Sequence, residues 1–223
     1  AGLVSVATRD AHVAPLLARC PEAMTHAVED GAALVPLLRK ASVVALGPGL
    51  GQDEWAQGLW RLALAAELPS VIDADALNLL AQAPRALPNA VLTPHPGEAG
   101  RLLGIATAEV QRDRFAAAAA LAERYQAVVV LKGAGSIVAA PGQVPRVIAA
   151  GNPGMAVGGM GDLLTGVIAA LRAQGLAAFE AASVGALLHA AAGDRAAAAG
   201  QRGLLPSDLL PALRHLANPE ANR

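Results

Sequence analysis

Five short, mainly apolar runs recur along the chain, at residues 3–7, 42–46, 70–73, 90–93 and 127–131. They do not alternate apolar with polar residues, so they read as strands covered on both faces, the pattern of a parallel sheet. Parallel neighbours cannot be joined by a tight turn and need a crossover, most often a helix. Segments of helical character lie between the runs, at 32–40, 54–66, 76–81 and 108–125. The expected fold is therefore α/β: a doubly wound, mostly parallel sheet with helices on both faces. Two further runs, 136–140 and 144–148, flank Pro141-Gly142 and predict an antiparallel hairpin at one edge. Beyond Gly151 the pattern is helical, at 162–174, 178–199 and 207–217. No linker or internal repeat interrupts it, and a single domain over 1–223 is expected.

Composition narrows the partners. Apolar residues make up 54% of the chain but aromatics only 2%, so the core is built from Ala, Val and Leu. Seventeen basic residues against 18 acidic ones leave a net charge of −1. Such a surface has neither the basic field nor the stacking rings that nucleic acid requires. Mean hydropathy is high, +0.43, yet no uncharged apolar run reaches membrane-spanning length. The longest charge-free stretch, between Arg146 and Asp162, is broken by Gly and Pro. Arg9 and Asp10 come too early for a secretory signal, and Cys20 is the lone cysteine. A cytoplasmic enzyme is expected. The run at 3–7 reads as a core strand with no polar leader, so we expect the natural protein to extend upstream.

In doubly wound sheets ligands bind outside the carboxyl ends of the strands, and the unusual residues fall there. Gly47-Pro48-Gly49-Leu50-Gly51 follows the second run; it reads either as a tight turn or as a place where a ligand approaches the backbone, with Asp53 capping the next helix. Asp75 is placed as a helix N-cap, whereas Asp73, at a strand end, faces the site and could hold water on a metal ion. In Thr93-Pro94-His95-Pro96-Gly97-Glu98, two prolines fix the direction of His95; Glu98 is a first-turn acid or a site carboxylate. Lys132-Gly133-Ala134-Gly135-Ser136 is a glycine turn or a phosphate cradle. The strongest signal is Gly151-Asn152-Pro153-Gly154-Met155-Ala156-Val157-Gly158-Gly159-Met160-Gly161-Asp162, directly before a helix. Backbone N–H groups at such a helix start form an anion site. A cap alone needs no such run of glycines; an anion hole with a carboxylate beside it does.

Gly159-Met160-Gly161-Asp162 resembles the GxGD signature of ribokinase-like kinases, and Thr93–Ala99 resembles their TPNxxEA segment, with His95 where Asn is usual. The His-containing version, together with GPGLG, DADALN, KGAG and GNPGMAxGGMGD in this order, is similar to the ADP-dependent NAD(P)H-hydrate dehydratases of the same superfamily. The resemblance implies a ribokinase-like fold and a substrate that is hydrated NADH or NADPH (the S epimer). ADP, or ATP, would phosphorylate the ring hydroxyl with Mg²⁺, and loss of phosphate would restore the dihydronicotinamide. It implies Asp162 as the base that takes the hydroxyl proton, and Gly49, Gly51, His95 and Asp162 as substrate contacts. Lys132, Gly133, Ala134, Gly135, Ser136, Asn152, Gly158, Gly159 and Gly161 would hold the nucleotide, and Glu98 would anchor Mg²⁺ through water. It further implies a homotetramer and, in many bacteria, fusion to an N-terminal epimerase domain. The alternative is a ribokinase-like kinase of a small hydroxylated vitamin precursor; a non-enzymatic nucleotide-binding scaffold is a third reading.

Overall fold

The computed structural model describes residues 2–218. Its main sheet has six strands in the order β3 (Val44–Leu46), β4 (Ser70–Ile72), β5 (Ala90–Leu92), β6 (Val128–Leu131), β7 (Ser136–Ala139) and β8 (Arg146–Ile148). The first four run parallel; β7 is antiparallel to both β6 and β8, which forms the expected edge hairpin.

Successive strand residues point to opposite faces, and each face has its own core. Ile72, Leu92, Val129, Leu131 and Ile137 pack under α3 (Glu54–Ala65), α4 (Ala74–Gln82), α5 (Pro96–Leu103) and α7 (Arg114–Tyr125). Val71, Val91, Val128, Val130 and Val138 pack under α8 (Met160–Ala173) and α9 (Ala178–Ala196). Both faces are thus dry, which is why these strands read as unbroken apolar runs. The two covering helices α8 and α9 lie very close: a Cβ on Gly185 would sit 2.8 Å from Ile168 Cγ1. Helix α10 (Leu209–Leu216) closes the end beside Met160.

Several expectations are corrected. The run at 3–7 is not a strand of the main core. Its strand, β1 (Ser5–Thr8), pairs in parallel with β2 (Met24–Ala27) in a separate two-stranded sheet, and Leu3 and Val4 are exposed. The crossover between them, α1 (Asp10–Arg19), and β2 itself were not anticipated, because α1 buries no residue and carries Pro15. Helix α2 (Gly31–Leu38) packs against α3 through a small cluster of Val28, Leu34 and Leu59 before the chain enters β3. The expected helix at 108–125 is two helices, α6 (Thr107–Arg112) and α7, broken where the Asp113 side chain caps α7 by accepting from Ala116 N–H. No helix among the described residues is long and apolar enough to cross a membrane.

Candidate active site

The loops leaving β3, β4, β5 and β6 meet at one edge of the sheet. The first passes so close to the second that a Cβ on Gly47 would lie 1.8 Å from the Asp73 carbonyl oxygen. Gly51 N–H donates to Asp75 Oδ2 at 2.9 Å. Asp75 therefore ties the loop after β3 to the first turn of α4 and is not the cap that its position after the strand implies; α4 starts one residue earlier, at Ala74. Asp53 does cap α3, accepting from Ala56 N–H at 3.0 Å. Around Gly49 and Gly51 a Cβ would meet nothing within 4 Å, so their surfaces face open space. Beside Gly51 a polar groove of about 500 Å³ opens, lined by Gln52, Asn78, Gln82 and Arg101.

Below these loops sits a polar cluster that local sequence could not reveal. Asp73 is buried and accepts from Lys132 Nζ at 2.7 Å and from Thr165 Oγ1 at 2.8 Å. Lys132 Nζ is also 3.7 Å from Glu98 Oε2. One ammonium thus bridges two carboxylates from different loops. Removing either partner would leave a buried charge uncompensated. Asp73 reaches this cluster from β4, Glu98 from α5, Lys132 from β6 and Thr165 from α8, so the cluster fixes α8 relative to the sheet.

His95 is the N-cap of α5. Its Nδ1 accepts from Gly97 N–H (3.0 Å) and Glu98 N–H (3.4 Å), and Glu98 Oε2 accepts from His95 N–H at 2.7 Å. This reciprocal pair is a capping box. Glu98 is thus a first-turn acid, as one reading of the sequence has it, and Pro96 takes the helix's first position, where proline is favoured. With Nδ1 accepting, the ring proton lies on Nε2, and the side chain is 51% exposed. Nδ1 is structural; Nε2 lies 3.5 Å from Glu98 Oε1 on the half-exposed side of the ring.

The turn from Lys132 to Ser136 also differs from expectation in its side chains. The Lys132 ammonium is engaged by Asp73, and Ser136 Oγ donates to Gly133 O at 3.1 Å within the turn. Both side chains are thus already partnered within the chain, and the turn also presents its backbone. Asn152 likewise has partners within the chain. Its Nδ2 donates to Asp194 Oδ1 (2.9 Å) and its Oδ1 accepts from Gly154 N–H (3.0 Å), while Gly151 N–H donates to Asp194 Oδ2 (2.8 Å). Its amide shapes the loop that leads to the helix start.

That helix start is the best-formed part of the site. Helix α8 begins at Met160, with Gly159 as N-cap in the left-handed region (φ +87°). Asp162 is therefore its third residue and not its cap. Among the described residues the N–H groups of Gly158, Gly159, Gly161 and Asp162 donate to nothing. Orphan donors at a helix start, with the positive end of the macrodipole behind them, attract an anion. The exposed Asp162 carboxylate likewise makes no side-chain hydrogen bond among those residues. A Cβ on Gly161 would lie 3.1 Å from Lys132 Nζ and 3.6 Å from Asp73 Oδ2, which places the start of α8 directly over the polar cluster.

Behind α8, His189 is buried with Nε2 unpartnered. Burial pushes its pKa down to about 4, opposed by a backbone hydrogen bond at Met160 and aided by the charge of Lys132. Thr165, Asp194 and His189 escaped the sequence reading. Only Thr165 had a usable signal: it lies one turn beyond Asp162 and so falls on the same side of the helix. A second concavity, about 450 Å³, lies far round the molecule between β8 and α9. Its walls are mostly apolar, and its one charged residue, Arg146, is paired with Glu180, so it offers no acid or base for chemistry.

Comparison with known proteins agrees with this geometry. Residues 1–215 match the family model described as NAD(P)H-hydrate dehydratase. The bifunctional NAD(P)H-hydrate repair enzyme of Coxiella burnetii is 53% identical over 220 residues, which cover 98% of this chain and 45% of that protein. The chain thus spans a little under half the length of that relative. A ribokinase-like superfamily protein of Enterococcus faecalis superposes with a TM-score of 0.87 at 33% identity, over 96% of this chain and 75% of the other. The ADP/ATP-dependent NAD(P)H-hydrate dehydratase of Bacillus subtilis, crystallised with ATP and Mg²⁺, superposes with a TM-score of 0.82 at 29% identity, over 96% of this chain and 79% of the other. The fold is ribokinase-like, and the chain belongs to the NAD(P)H-hydrate dehydratase family.

Proposed function

We propose that this chain removes the elements of water from hydrated NADH and NADPH at the expense of ADP. The observation that carries the reading is the start of α8, where an exposed carboxylate without hydrogen bonds, Asp162, stands beside four unpaired N–H groups. Phosphoryl transfer asks a protein chiefly for positioning and neutralisation of charge. The N–H groups of Gly158, Gly159 and Gly161 hold the transferring phosphoryl group, and the backbone of the 132–136 turn holds the rest of the nucleotide.

The terminal phosphoryl group of ADP passes to the ring hydroxyl oxygen, and AMP leaves. Asp162 accepts the hydroxyl proton late in the transfer, when that proton has become acidic. The carbon–oxygen bond then breaks, phosphate departs with its electron pair, and loss of a proton from the neighbouring ring carbon restores the dihydronicotinamide. Gly49 and Gly51 give the hydrated ring a bare backbone to lie against, and His95 Nε2–H donates to it from the opposite loop.

Magnesium typically keeps most of its waters and is held by one or two carboxylates together with phosphates. Among the described residues no group of three His, Cys, Asp or Glu forms a cage, whereas Glu98 and Asp73 converge at the floor of the site through Lys132. Those carboxylates already accept hydrogen bonds, so they suit an ion anchored through water and carried by the nucleotide. When bound, it supplies charge neutralisation at the phosphates. The cytoplasm, a homotetramer and an epimerase domain joined upstream complete the proposal.

The test is incubation of the protein with hydrated NADPH, ADP and Mg²⁺. Absorbance of the dihydronicotinamide should appear with equal amounts of AMP and phosphate. No absorbance would sink the reading, and accumulation of a stable phosphate ester would assign the site to a kinase instead.

A further inference from the structure

Arg114 opens α7, well away from Asp162 in sequence, yet its guanidinium lies directly beneath the turn after β6. Its Nη1 donates to Ala134 O at 2.6 Å, and its Nη2 lies 3.2 Å from Leu131 O and 3.4 Å from Lys132 O. A Cβ on Gly133 would come within 3.0 Å of Nη2, so nothing separates the cation from the turn. Carbonyls of Leu131, Lys132 and Ala134 thus all point inward at one planar fork. Arg114 forms no ion pair among the described residues. The acid next to it, Asp113, is occupied as the cap of α7. Its Nε is sealed from solvent without a partner. Partial burial lowers its pKa, as expected for a cation with no acid to offset desolvation.

A half-buried cation lacking a counter-charge is costly to keep in a fold. Carbonyls engage Nη1 and Nη2 but leave Nε unpartnered and the charge to be met from outside. We propose that Arg114 is a positioning residue for the nucleotide. Its fork holds the turn's carbonyls inward so that the backbone N–H groups face the ligand, and its unpaired charge attracts the anionic phosphates of a nucleoside diphosphate. The inference rests on the dehydratase reading, which assigns the 132–136 turn to ADP. Because Arg114 sits behind the turn, it acts on nucleotide affinity and leaves the reacting atoms untouched.

Three variants separate its two roles. R114K keeps the charge without the planar fork, R114Q keeps donors without the charge, and R114M lacks both. R114M loses both the fork that orders the turn and the charge that attracts the phosphates, so it should weaken ADP at least about tenfold in Kd and KM, with kcat at saturating ADP and the KM for hydrated NADPH within about twofold of wild type. R114K and R114Q should recover part of the affinity each. A folded R114M that binds ADP as wild type does, or that loses kcat at unchanged KM, overturns the proposal. Should the variants fail to fold, the guanidinium N–H resonances of Arg114 in the wild-type protein give a second readout. They should shift on addition of ADP and stay in place with hydrated NADPH alone; no shift with ADP refutes the role. Wild-type protein that neither binds ADP nor turns over would refute the dehydratase reading itself, a separate outcome.

Discussion

Gly158→Ala tests the anion hole with little disturbance to the fold. Most glycines near the site have a structural reason to be glycine: Gly47 is pressed against a carbonyl, and Gly159 needs a left-handed backbone with Pro206 only 3.1 Å from a would-be Cβ. Gly158 has neither reason. Its φ lies outside the left-handed region, and a Cβ would meet nothing within 4 Å. Glycine-to-alanine exchange at a compatible backbone stabilises by about 0.4–1 kcal/mol through the unfolded chain. For a domain of this size that is a rise of up to about 2–4 °C in melting temperature. If a phosphate occupies the empty space, the methyl group displaces it from at least one N–H donor. Loss of one charge-assisted bond, about 1.5–3 kcal/mol, corresponds to roughly a 10- to 150-fold rise in the Kd for ADP. Calorimetric titration with ADP and Mg²⁺, beside a melting curve without ligand, reads both quantities on one protein. A variant that melts higher and binds ADP within about twofold of wild type would refute the phosphate's location. One that melts many degrees lower would mean that the fold, and not the ligand, requires this glycine.

The other predictions follow from the same geometry. Asp162→Asn should lower kcat by about 10²–10⁴-fold, with melting temperature and ADP affinity unchanged because the carboxylate holds nothing in the free protein; near-normal turnover would remove its role as base. His95→Asn should keep the cap of α5, since Asn is an equally good N-cap, while raising the KM for hydrated NADPH; His95→Ala should lose both, with about 0.5–2 kcal/mol of stability, and equal melting temperatures for the two variants would contradict the capping box. His189 has a folded pKa near 4, below its ordinary 6.5, so the unfolded chain binds the extra proton and stability is full above about pH 6.5. About 3 kcal/mol should then be lost as pH falls from 6.5 to 4, a slope that urea unfolding should find in wild type and find reduced in His189→Leu. Parallel slopes in the two proteins would contradict it.

What sequence could reveal here follows the range of the interactions involved. The strands β3 to β6 were legible because burial on both faces leaves a local mark. The glycine clusters were legible because backbone geometry is a property of a few adjacent residues. Helix boundaries are less so: the glycine run suggests a loop up to Gly161, although α8 already includes Met160 and Gly161, and Asp162 is its third residue instead of its cap. Side-chain roles depended on partners far along the chain. Nothing near Asp73 announces Lys132 or Thr165, nothing near Asn152 announces Asp194, and each pairing changed what a residue at the site is free to do. His95 and Asp162, for which a substrate-side role is proposed, stand at strand and helix ends, where sequence patterns locate them. Arg114 was missed because a lone arginine at the head of an alanine-rich helix looks like a solvated charge.

The contact of Ile168 with Gly185 has a mechanical meaning. Helix α8 is a rigid rod whose outer end carries the unpaired N–H groups and Asp162, and Ile168 lies about 9 Å further along that rod. Resting against a residue that lacks a side chain, Ile168 works as a detent that sets the depth to which the rod is inserted. A stiff rod passes any displacement at the detent undiminished to its tip, and a misplacement of about 1 Å at reacting atoms can cost 10²-fold in rate. The bare surface of Gly185, buried in the seam between two helices and touching no ligand, thereby belongs to the calibration of the active site as much as to the packing of the core.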